Sequence, residues 1–243
     1  MLTFFRKIRK ALLGSGQTRK YIFYAIGEIA LVVIGILIAL QINNWNEWRK
    51  DRVQEIKILN KLERNLETIE EILRSELLEL NDLNNSARIV RSALQNDLPY
   101  HDSLGVHFTK SGQTRAFWIK LPQEGYKAYE DAGLDIIVND NLAEDIVSLF
   151  EVTYQDLDNS TELVKENFKR GYDYWDFFNT SYDRGTVPKD YAELKTSKKF
   201  ETYWNNYNYL RNTIISNELD NSLNATLRVL QLIKEELGET TVE

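Results

Sequence analysis

The chain has no cysteine among its 243 residues. That absence excludes disulfides, thiolate chemistry and cysteine-type zinc sites together. Proline is nearly as scarce: three prolines and eleven glycines, with no low-complexity tract, argue against several domains strung on linkers. The two histidines, His101 and His107, fall in HDSLGVHF, which reads as an exposed loop, and their i, i+6 spacing matches no metal-binding pattern. No Gly-rich phosphate loop, nucleophile elbow or catalytic carboxylate pair stands out. No catalytic residue, metal or cofactor is therefore expected, and the acids read as helical surface charge.

What the chain does have is one long apolar run, Tyr21 to Trp45, reading YIFYAIGEIALVVIGILIALQINNW. A hydrocarbon core about 30 Å thick needs about 20 helical residues. The run is long enough to be a transmembrane helix. Tyr21 precedes it and Trp45 and Trp48 follow, as amphipathic rings at the headgroup level should. A cleaved signal peptide fits poorly, because a tail of some twenty residues precedes the run, a carboxylate interrupts it, and Ile38-Ala39-Leu40 offers no small-x-small cleavage site.

Orientation follows from Lys and Arg. The first twenty residues hold Arg6, Lys7, Arg9, Lys10, Arg19 and Lys20 with no acid, whereas basic residues beyond the run are mixed with Glu47, Asp51 and Glu55. The positive-inside rule then puts residues 1–20 in the cytoplasm and the large domain across the membrane. Leu2, Phe5, Ile8 and Leu12 recur at helical spacing between the basic residues, which suits a short helix on an anionic leaflet, with Gly14-Ser15-Gly16 as a joint. Removing the tail's +6 from the formal net charge of −7 leaves −13 for the remainder. An acidic domain of that kind is not expected to bind nucleic acid.

Residues 46–243 read as helices throughout. Leu59, Leu62, Leu66, Ile69 and Leu73, then Leu77, Leu80, Leu83, Ala87, Val90 and Leu94, follow alternating three and four spacing with one irregular step near Leu77. This predicts a long helix continuing from the span and ending near Pro99. A second pattern opens at Asn141, with Glu144 as a capping-box partner, and runs through Ile146, Leu157, Phe168, Tyr172 and Trp175 to Phe178. The segment Asp183 to Pro188 is a turn signal. A third helix begins around Ser197, carries Phe200, Trp204, Tyr207, Leu230 and Ile233, and stops at Gly238. A shorter helix lies between Pro122 and Ala132, with Gly133 just past its end. The expected fold is all-α: one transmembrane helix continuing into a bundle of three long helices and one short one. The aromatic stretches 172–178 and 203–209 suit either a sugar-binding platform or core packing, and their helical spacing favours the core.

Glu28 is the residue with the strongest physical claim, because an ionisable group inside a span is costly and marks a functional site by default. Tyr24, Glu28, Val32, Gly35, Ala39 and Ile42 share one helix face, and Gly35 with Ala39 is a small-xxx-small pair that permits close helix approach. The competing reading is that Glu28 snorkels to the headgroups toward Arg19 or Lys20.

The opening pattern FFRKIRKALL followed by KYIFYAIGEIALVVIGILIALQINNWNEWRK resembles the N-terminal signature of an uncharacterised family of single-pass membrane proteins of Bacteroidota, especially flavobacteria. GYKAYEDAGLDIIVNDNLAEDIVSLFEVTYQDL resembles a second, looser family segment. No activity comes with the resemblance. It implies a Gram-negative envelope, hence an inner-membrane anchor with a periplasmic domain. The leading functional expectation is an interaction or scaffold protein in the bilayer that self-associates or holds another membrane protein through the Glu28 face. The alternative is a proton- or ion-coupled component using Glu28, and an envelope enzyme ranks last.

Overall fold

The computed structural model describes residues 18–112, 119–170, 172–181 and 185–240. The tail expected to form a surface helix lies outside them. The fold is all-α, and the chain divides into two compact units, residues 1–54 and 55–243. Helix α1, Thr18–Gln95, contributes residues to both.

In the second unit, the seam expected along α1 is the spine of the core. Leu59, Leu62, Leu66, Ile69 and Leu73 are all fully buried, each such side chain contributing about 1.5–3 kcal/mol of hydrophobic free energy. The helix runs unbroken through the irregular step, where Leu77 is half-buried and Leu80 resumes the buried row. Its last helical residue is Gln95, and Asp97 beyond it takes a positive φ of 51°.

The rest of the bundle departs from the expected count. Among the described residues three short helices appear rather than one: α2, Leu104–Ser111; α3, Glu124–Ala132; and α6, Tyr191–Thr196. The second long run is α4, Asp140–Ser148, and α5, Tyr154–Arg170, joined by a π turn at Leu149–Thr153. The third is α7, Lys198–Tyr209, and α8, Ser216–Thr240, joined by a π turn at Leu210–Ile215. Each π turn inserts an extra residue per turn and rotates the apolar stripe that follows it, so Leu149 and Phe150 can both be buried before the row continues at Tyr154 and Leu157.

Several boundaries move for identifiable reasons. The N-cap of α4 is Asn139, not Asn141: its Oδ1 accepts from Leu142 N at 3.3 Å, so the capping box centred on Asn141 and Glu144 does not form. Ser197 does cap α7, accepting from Phe200 N at 3.2 Å. Gly238 does not stop α8, which continues to Thr240. Gly133 ends α3 as expected, at a φ of +98° that side chains rarely adopt.

The second long helix ends at Arg170 rather than reaching Phe178. A 3-10 turn, Tyr172–Phe177, leads into strand β1, Phe178–Ser181, which pairs antiparallel with β2, Gly185–Pro188. Of the anticipated turn, Gly185 to Pro188 form β2, while Asp183 and Arg184 lie outside the described residues. Thr109 of α2 fastens β2: the Thr109 hydroxyl donates to Thr186 Oγ1 at 2.8 Å and accepts from Thr186 N at 3.0 Å. Two apolar clusters result, one around Leu59 to Leu80 and another around Val90, Phe108, Tyr174, Phe178, Phe200 and Trp204.

Candidate functional site: the apolar helix and its acid

In the first unit, the part of α1 from Ile22 to Ile42 exposes its large side chains all round: Leu31 is 74% accessible and Ile29 64%. Among the described residues this is the one helix long and apolar enough to cross a membrane, and none of its most apolar window is covered by the chain. Leaving so many side chains in water would forfeit about 1.5–3 kcal/mol for each. The length and composition of this segment suit an apolar surrounding, which would spare that cost.

Tyr24, Glu28, Val32, Gly35, Ala39 and Ile42 all lie on this helix at successive steps of three or four, and all are exposed. A Cβ at Gly35 would meet nothing within 4 Å, and the same holds at Gly27. The backbone at those points is therefore open to a close neighbour. At the far end, Trp45 and Trp48 are exposed, and the Arg49 guanidinium sits 5.8 Å over the Trp45 ring. Asn43 donates its Nδ2–H to Glu47 Oε1 at 3.1 Å. A ring with a polar edge beside a cation is the chemistry of a membrane rim. The side chain of Tyr21 lies outside the described residues.

The histidines are not both in a loop. His107 is inside α2, half-buried, with Nδ1 3.2 Å from Ser86 Oγ, so that α2 leans on α1 there. His101 is exposed in the connecting segment, with Nδ1 2.9 Å from Ser103 Oγ. Within the stretch 172–178, Tyr174 and Phe178 are buried and lie 5.7 and 6.0 Å from the Phe200 ring, while Asp176 is exposed. The expected core packing holds, but it is built by a 3-10 turn and a strand rather than one helix face. The side chains of Phe168 and Tyr172 lie outside the described residues.

Two buried polar groups of the second unit escape sequence reasoning. Arg211, on the second π turn, is 2% exposed; its Nε donates to Asn84 Oδ1 and its Nη1 to the Ser111 carbonyl, both at 3.0 Å, and Nη2 to Asn208 Oδ1. Burial lowers its pKa to about 10, opposed by the neighbouring Tyr207 and Tyr174. Burial likewise pushes the Tyr174 and Tyr207 hydroxyls well above the ordinary phenol range. Their hydroxyls donate to the Phe108 and Gly112 carbonyls. The second group is Glu55, fully buried, whose Oε1 accepts from Val138 N at 2.9 Å. No sequence signal separates these two from the surrounding surface charge, because each is defined by contacts made over long chain separations.

Residues 28–100 match the model of a family of unknown function (DUF6090). The match covers less than a third of the chain, from the membrane-type acid to just past the end of α1. No curated protein and no solved structure matches the chain.

Proposed function

We propose that this chain is a membrane-anchored helical interaction protein. One transmembrane helix holds the acidic bundle against the bilayer, and the face carrying Glu28, Gly35 and Ala39 associates with a second copy or with another membrane protein. The observation that carries this reading is the uncovered apolar helix, whose one acid and whose open glycine backbone share a face. Lipid alone would cover the apolar side chains, but an acid within the span is stabilised better by a partner helix, and small residues let that helix come close.

Placement in an inner membrane, with residues 1–20 cytoplasmic and the bundle periplasmic, rests on the basic excess before the span and on the resemblance to the Bacteroidota family. A reporter active only in the periplasm, fused after Glu243, is expected to work, and one active only in the cytosol to stay silent. The reverse pair of signals contradicts the placement.

Glu28 also supports a second reading, in which the acid exchanges a proton or an ion within an assembly. It is favoured by the position of this single carboxylate in an otherwise uncharged stretch from Tyr21 to Asn46. Glu28→Gln discriminates: it preserves association under either reading but abolishes function only under the second.

A further inference from the structure

A groove of about 600 Å³ opens in the second unit between the C-terminal end of α1 and the segment formed by α6 and the start of α7. That is within the range of small-ligand sites. Its walls combine apolar surface, from Leu94, Leu194 and Phe200, with the nearly buried ring of Trp204. The Trp204 Nε1–H is buried and has no hydrogen-bond partner among the described residues.

The charges around it do not cancel. Lys195 is answered by Asp97 in an ion pair that pins α6 to the end of α1, and Lys198 is answered by Glu201 at 2.8 Å. Arg91 is exposed instead, its guanidinium 5.2 Å over the Trp204 ring, with no carboxylate partner among the described residues. One fixed cation thus stands beside an apolar wall. A guanidinium over an indole face keeps N–H groups available and is suited to a carboxylate. Gln95 and Asn205 add two exposed carboxamides, each with a donor and an acceptor. A peptide group presents the same pair, whereas an alkyl chain presents neither.

We propose that this groove binds the C-terminal end of a polypeptide, with its terminal carboxylate at Arg91, an apolar last side chain against Leu94, Leu194 and Phe200, and its preceding amide at Gln95 or Asn205. The site is separate from the membrane face and stands or falls independently of it.

The test is calorimetric titration of the full chain in detergent micelles with acetyl-Gly-Leu-Phe as the free acid, the same peptide as its C-terminal amide, and octanoate. The free acid is expected to bind, and the amide about tenfold more weakly, the loss typical of one charge-assisted contact. Arg91→Gln, a surface change checked for unaltered helicity, should bring acid and amide to the same weak affinity. Glu201→Gln should tighten the acid by removing a like charge. Equal binding of acid and amide, undiminished acid binding by Arg91→Gln, or no binding of the acid at millimolar concentration overturns the proposal. Arg91-dependent binding of octanoate without the peptide overturns it too, by assigning the groove to fatty acids.

Discussion

Asn65 holds the entry to α3 from both sides of its carboxamide: its Oδ1 accepts from Gly125 N at 3.1 Å, and its Nδ2 donates to the carbonyl of Pro122, just before the helix, at 3.1 Å. The contact is so close that a Cβ added at Gly125 would stand 2.7 Å from Asn65 Cβ. Glycine is required there by proximity, not by backbone conformation.

Gly125→Ala is therefore expected to push α3 off α1 and lower stability by about 1–3 kcal/mol, the usual cost of overpacking. Asn65→Ala should cost a similar amount by leaving the Gly125 N–H without its acceptor. Thermal unfolding of the full chain in detergent, followed by circular dichroism, measures both. Wild-type stability in Gly125→Ala would show that the contact yields freely.

Arg211 gives a second stability test. Asn84→Ala removes one acceptor and should cost about 1–3 kcal/mol, while Arg211→Leu strands the oxygens of Asn84, Asn208 and Ser111 together and should cost more. The same melting experiment ranks them. If Arg211→Leu is at least as stable as the parent, the buried guanidinium is replaceable by apolar packing, as buried charges sometimes are.

Alkaline pH should unfold the bundle. Burial raises the Tyr126 hydroxyl to about 12 and those of Tyr154, Tyr174 and Tyr207 higher still. An unfolded tyrosine ionises near pH 10, so above that pH the unfolded chain releases protons the native chain keeps, and stability falls. Arg211 acts in the opposite sense, since burial lowers the proton affinity of its native form below that of the unfolded chain. Four tyrosines outnumber one arginine. Below pH 10 these groups should leave stability unchanged; above it, tyrosinate absorbance should rise in two phases, the second coinciding with loss of helical signal. Complete ionisation with the helices intact would contradict the assigned burial.

The all-α fold and the membrane-type helix were legible because both are periodic signals carried by neighbouring residues. The seam from Leu59 to Leu94 and the run after Tyr21 needed nothing beyond their own spacing. The features that escaped are those set by distant contacts. Thr109 stabilises a hairpin in Thr186's segment where helical spacing of aromatics had predicted a continuing helix. Asn139 captures the cap that Asn141 would have supplied. His107 lies on a helix that buries its own Phe108 in the second apolar cluster and sets His107 against Ser86, contacts that no local pattern in HDSLGVHF encodes. The π turns at Leu149 and Leu210 preserve apolar rows that an uninterrupted period of 3.6 would have carried off the core. The face around Glu28 is defined only by the phase of its own helix, so it stands as a proposal that the cross-linking pattern decides.

The most direct measurement of the central claim uses the absence of cysteine in the chain. Single cysteines at Gly35 or Ala39 lie on the Glu28 face, and cysteines at Val33 or Leu37 lie roughly on the opposite side of a helix with about 3.6 residues per turn. Oxidative cross-linking in native membranes is expected to trap Gly35→Cys and Ala39→Cys as dimers or as adducts with a partner, to spare Val33→Cys and Leu37→Cys, and to weaken when Glu28→Ala is added. Equal cross-linking at all four positions, or a pattern that Glu28→Ala leaves untouched, would contradict the account and leave Glu28 as an interfacial acid reaching for the headgroups.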